Sequence, residues 1–277
     1  MAGPGTFLHH SRMTHNGQMG LRGESIDPDT GFDAPMVIEH NEIAFNHELG
    51  YNWMWEAGAL KILGSTGTVF RQNWVHGNAG PGIWFDAFNR ETTIESNLVE
   101  DNTHVGIFYE ISYGPTKIRW NTVRNNGAGQ PGGLGAGILV MNSREVTITG
   151  NAVDANQNGI IAVMTDRDRG PDGNLETANV RVLGNDIRML EGVTGLVDET
   201  GNDAYYTSKG NVFDDNTYRL DSLGADRFVW TGRWASPIAW YQWLSFGNDS
   251  SGVPLSGSAE PVLPPDARQF VSVEHRP

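Results

Sequence analysis

Residues 93–102 read TIESNLVEDN, and residues 117–126 read KIRWNTVRNN. The two align without a gap at an offset of 24 residues, with Asn at 97 and 121 and again at 102 and 126. Their shared frame is apolar–x–x–Asn–x–apolar–x–x–Asn. Working outward, the frame recurs in VIEHNEIAFN (37–46), VFRQNWVHGN (69–78) and TITGNAVDAN (147–156), and more weakly in RVLGNDIRML (181–190). The first Asn of the copies is Asn41, Asn73, Asn97, Asn121, Asn151 and Asn185, at intervals of 32, 24, 24, 30 and 34 residues. The second is Asn46, Asn78, Asn102, Asn126 and Asn156. RMTHNGQMGLRG (12–23) ends an earlier copy with Asn16, and GNVFDDNTYRL (210–220) is a degenerate late one.

A repeat of this length with alternating apolar residues predicts strands rather than helices. One copy is one coil of about three short strands, and coils stack ~4.8 Å apart. The fold class expected is all-β: a right-handed parallel β-helix, a solenoid with a C-terminal capping segment. Asn at the corners is expected to take the left-handed conformation and to bond its counterparts in the coils above and below. The longer intervals place insertions at 48–67, 127–137 and 166–179, which in solenoids gather on one face and shape a groove. Coils are expected over 1–220 and a cover over 221–250, where FVWTGRWASPIAWYQWLSF reads as a strand followed by a short helix. The Pro-, Ser- and Gly-rich remainder, 251–277, reads as an extended tail. The chain starts inside a copy. Its open N-terminal end is expected to continue into further coils, to make an oligomer contact, or to leave the fold weakly stable.

The 277 residues suffice for a sizeable core. Thirty-five glycines fit a chain of many turns. A net charge of −14 with no basic cluster argues against nucleic acid and anionic membranes as partners. No apolar run is long enough to cross a membrane as a helix, and the first residues lack the apolar core of an export signal. Without cysteine there are no disulfides or thiolate metal sites.

The copies resemble the right-handed parallel β-helix repeat proteins, among them pectate and alginate lyases, polygalacturonases, mannuronan epimerases and phage tailspikes. The resemblance covers roughly residues 7–220, and the segment 228–249 resembles the closing segment of such bacterial proteins. It implies a secreted protein whose partner is a polysaccharide or oligosaccharide, without choosing an activity.

GIWFDAFN (82–89) and GIFYEISY (106–113) are one phrase written twice, with Asp86 and Glu110 at the same place. Strand parity turns Ile83, Phe85, Ile107 and Tyr109 inward, and Trp84, Asp86, Phe108 and Glu110 outward. The same parity puts Glu24, with Arg22 beside it, and Lys61 on the outward face. The expected column is therefore Glu24, Lys61, Asp86 and Glu110, ending at Met141. Two bare carboxylates one strand apart coexist best when one is protonated, a cation lies between them, or Lys61 balances them. Trp84 and Phe108, exposed, would offer flat faces to sugar rings. Trp55 and Glu56, in the loop before Lys61, would form a wall, and His104 is within reach of Glu110. The loops 27–33 and 166–173 are Asp-rich but lack the Glu of a Ca2+ loop, and read as solvated.

Three functions follow as expectations. The first is polysaccharide β-elimination. As the resemblance to the lyases implies, Asp86 and Glu110 would hold Ca2+, Lys61 would be the base and Arg22 would bind a substrate carboxylate. The second is glycoside hydrolysis by Asp86 and Glu110, with Glu56 or Glu24 in reserve. The third is a non-catalytic carbohydrate-binding or structural solenoid.

Overall fold

The structure is a computed structural model that describes residues 1–26, 30–189, 191–232, 234, 236–257 and 259–264. The first part of the 27–33 loop and most of the far tail lie outside the described residues. Three parallel sheets run the length of the molecule. Sheet one has eight strands, from Phe7–His9 to Val212–Asp214. Sheet two has nine, starting at Arg12–Thr14. Sheet three has eight, from Met19–Glu24 to Phe228–Thr231. The expected coil is visible in the register: Ile94 lies beside Ile118, Val99 beside Val123, and Ile83 beside Ile107.

Most strands of sheets one and two are three residues long, so only the middle residue faces inward. These residues build single-file apolar columns, Ile38–Phe70–Ile94–Ile118–Ile148 and Ile43–Val75–Val99–Val123–Val153, all fully buried. Sheet three's longer strands give two inward columns, one containing Ile83 and Ile107 and the other Phe85 and Tyr109. Burying these columns is the main stabilising term of the solenoid.

The asparagine ladders form as expected, with one correction. Asn121 Nδ2 donates to Asn151 Oδ1 at 3.0 Å and to the Ile94 carbonyl at 3.0 Å, while its own Oδ1 accepts from Asn97. The second column repeats this from Asn16 to Asn156. However, the left-handed residue is the one before each Asn. Gln72, Ser96, Asp101, Trp120 and Asn125 all have φ between 54° and 57°. That turn aims the next backbone N–H and amide along the solenoid axis, where the neighbouring ladder Asn waits. A third corner carries a mixed ladder, Ser65–Asn89–Ser112–Ser143, in which side-chain oxygens receive the N–H of the preceding coil.

The C-terminal segment closes the core with a strand and a short helix, Trp240–Ser245. Trp243 is fully buried, and its indole donates to Asp249 Oδ2 at 2.8 Å. Asp249 also ends the first Asn ladder, accepting from Asn216 Nδ2 at 2.9 Å. The stretch read as cover thus supplies a further rung, Phe228–Thr231, before it caps. The stretch read as tail contributes Val253–Ser256, which pairs with Thr217–Leu220 as the ninth strand of sheet two.

Candidate active cleft

Along much of sheets one and two, outward acids and guanidiniums alternate from rung to rung. Arg71 pairs with Glu39 and Arg119 with Glu95 along sheet one; Arg124 pairs with Glu100 and Arg188 with Asp154 along sheet two. Each acid meets a guanidinium one coil away. Sheet three breaks this rule, because Asp86 and Glu110 carry the same charge on successive rungs.

Lys61 stands close by, but not in their column. It is in register with Arg22 and Trp84, and Trp84 is in register with Phe108. Glu24 pairs with Leu63, so Leu63, one residue past the Ile62–Phe85 pair, fills the rung below Asp86. The coil beginning at Gly58 has one more residue before its first inward side chain than the coil beginning at Gly82, which moves Lys61 to the neighbouring column. From there Lys61 Nζ crosses to Asp86 Oδ2 at 2.8 Å and lies 3.8 Å from the centroid of the Trp84 ring. The Lys61 side chain is only 7% exposed and that of Asp86 14%.

Glu110 is one rung further on, with its side chain 10% exposed and Arg167 Nη2 at 3.2 Å from its Oε1. Burial, reinforced by the charge of Asp86, pushes its carboxyl up to about 7, against the opposing pull of Arg167 and Lys61. The two carboxyls thus sit in unlike settings: Asp86 is held by the lysine, while the Glu110 carboxyl is pushed up toward neutral pH. One buried polar atom in this group, Asp86 Oδ1, has no hydrogen-bond partner among the described residues. Such atoms are costly unless water or a ligand satisfies them.

The three insertions converge here. A cleft of about 290 Å³ lies over the pair. Trp53 and Met54 line it from the first insertion, Leu134 from the second and Arg167 from the third. The third insertion folds as a short antiparallel ribbon, Arg169–Gly170 against Gly173–Asn174. Arg90 and Arg144 tether it by holding Asp172. Trp84 and Phe108 are not exposed platforms. The insertions cover them, each is 3% exposed, and their rings stack on each other at 5.4 Å. Only parts of both reach the cleft wall.

Several expected residues lie elsewhere. Arg22 is bound to Glu24 and, at 3.1 Å, to Glu56, so one guanidinium holds both acids outside the cleft lining. Trp55 is 77% exposed and points away from the lining. His104 packs on Trp53 with ring centroids 4.5 Å apart and bonds Thr103, supporting that wall rather than reaching Glu110. Arg167 was hidden in a loop that reads as solvated. Strand parity does not extend to a ribbon, and nothing in the sequence marks which basic residue folds back. Ca2+ fits the cleft poorly, since it takes six to eight oxygens, whereas here two carboxylates are already engaged by Lys61 and Arg167. Among the described residues no cluster of three or more His, Asp or Glu could hold a metal.

The fold and the repeat define a parallel β-helix with a covered acidic cleft on one sheet. The chain belongs to the right-handed β-helix family, whose model, a right-handed β-helix region, matches residues 5–151. Comparisons with curated proteins and with solved structures return no significant match.

Proposed function

We propose that the cleft hydrolyses a glycosidic bond, with Glu110 as proton donor and Asp86 as its ionised partner. The supporting observation is the unequal pair: two carboxylates on successive rungs, one holding its proton to about pH 7 and the other set against a lysine. Glycosidases need this division of labour, and environment rather than residue type assigns the roles. Trp53 on the wall suits a sugar's apolar face. Adjacent rungs lie ~4.8 Å apart, the short spacing that goes with retention of configuration.

On this reading Glu110 gives its proton to the leaving oxygen as the bond from it to the anomeric carbon breaks. The Asp86 carboxylate, which lines the cleft, attacks that carbon. Esterification removes the Asp86 charge, which lowers the proton affinity of Glu110 and turns it into the base that activates water. Water then releases the sugar and restores both carboxyls.

β-Elimination ranks second. It needs Lys61 as a free base, and Lys61 is enclosed between Asp86 and the Trp84 ring. Arg167, at the rim, is the feature that favours it, since a guanidinium can neutralise a uronate.

The test is incubation with neutral and uronate-containing glycans, following reducing ends and the ultraviolet absorbance of unsaturated uronates together. Hydrolysis predicts reducing ends without absorbance, and a first-formed product of retained configuration by NMR. Absorbance would replace this reading with elimination. Silence across both sets would leave a binding solenoid.

A further inference from the structure

A second cavity, about 500 Å³, adjoins the acidic cleft and shares two of its walls, Leu134 and Met141. It lies on the side of Glu110 away from Asp86. Glu110 is paired in register with Met141, Met141 with Val163, and Val163 with Val197. The neighbouring outward column continues from Phe108 to Leu139 and Ile161. The floor beyond the proton donor is therefore aliphatic for several rungs. Leu134 covers it from the second insertion, and Trp234 from the C-terminal segment. Its polar groups are few: Thr165, and Glu199, whose Oε1 already accepts the Trp234 indole N–H at 3.1 Å.

We propose that this cavity holds the leaving group of the substrate, and that the leaving group is an apolar alcohol, aryl or alkyl, rather than a second sugar. The inference rests on the hydrolytic reading for its polarity along the cleft. A general acid protonates the leaving oxygen, so the leaving group lies on the acid's side of the pair. Here that side is the Met141–Val163 floor. The sugar then sits over Asp86, against Trp53 and Met54 of the first insertion. A second sugar set on this aliphatic floor would turn hydroxyls against side chains that cannot bond them, which disfavours it. An aryl or alkyl group would only exchange water for Met141, Val163 and Trp234. The balanced reaction is glycoside plus water to free sugar plus apolar alcohol. The proton on the alcohol comes from Glu110, and water's second proton returns to it.

The experiment separates this inference from the hydrolytic reading by measuring binding and turnover apart. The Glu110→Gln protein is titrated calorimetrically with phenyl and hexyl glycosides of glucose, galactose, mannose and xylose, and with disaccharides bearing the same non-reducing sugar. For the sugar that binds, the phenyl and hexyl members are expected to bind at least tenfold more tightly than the disaccharide. Adding Trp234→Ala is expected to remove that advantage and leave disaccharide binding within about twofold. Equal affinities, a preference for the disaccharide, or no binding of any apolar member would overturn the inference. Turnover by the unmodified protein is scored independently. Aryl glycosides that bind there yet are never cleaved would sink the hydrolytic reading while leaving the apolar cavity assigned.

Discussion

Glu110→Gln is expected to cost activity and add stability at once. A glutamine cannot give up the proton, so cleavage of a glycoside with a poor leaving group should fall by about 10²–10⁴-fold. Stability moves the other way, for a reason that can be signed. The Glu110 carboxyl titrates at about 7 in the folded chain, against an ordinary value of 4.5. Below pH 4.5 both folded and unfolded chains hold the proton, and Glu110 costs nothing relative to glutamine. As pH rises toward 7 the unfolded chain releases its proton while the folded chain keeps it, so stability falls. Above that the penalty is complete, on the order of 3 kcal/mol. Glutamine imitates the protonated form and escapes this. Denaturant unfolding at pH 4 and pH 8 should show no gain at the first and a gain of that order at the second. Equal stabilities at both would mean that Glu110 is an ordinary solvated acid. Sacrificing stability to hold a group ready for chemistry is common at active sites.

Lys61→Met is expected to destabilise the chain by about 3–5 kcal/mol, because it leaves a buried carboxylate without its cation. Methionine has the length to fill the space beside Trp84, so the loss reports charge rather than a cavity. Two controls check this. The penalty should shrink at low pH, where Asp86 can take a proton instead. It should also largely vanish in the Lys61→Met, Asp86→Asn double variant, where neither charge remains. A penalty unchanged in the double variant would show that Lys61 matters by packing alone. Residual hydrolysis by Lys61→Met would also separate the two chemistries, since an eliminating enzyme that used Lys61 as its base would retain none.

The fold was legible because a solenoid repeats its physics along the chain. Each coil needs one inward residue per short strand and a bonded corner, so Asn97, Asn121 and Asn151 recur in a frame visible without coordinates. Ladder chemistry that mixes residue types is not visible in that way. Ser65, Asn89, Ser112 and Ser143 do the same work, but the letter changes from Ser to Asn and back, and no frame like that of the Asn columns surrounds it. Parity placed Trp84, Asp86, Phe108 and Glu110 on one outward face, which is where they lie. Parity says nothing about what covers that face, so Trp84 and Phe108 read as exposed although the insertions bury them. It also fixes direction without fixing column. Lys61 does face outward, but Ala59 adds a residue after Gly58 and shifts it beside Trp84. Arg167 came from an insertion, 57 residues from Glu110, where no periodicity operates.

The central claim is that Glu110, one rung beyond the lysine-bound Asp86, keeps its proton toward neutral pH. The most direct test is NMR titration of the side-chain carboxyl carbons in the intact chain and in Asp86→Asn. The account predicts a Glu110 midpoint near 7 that falls part of the way when the Asp86 charge is removed, because burial, the larger cause, remains. A Glu110 midpoint already near 4.5 in the intact chain, or one that Asp86→Asn leaves unmoved, would contradict it.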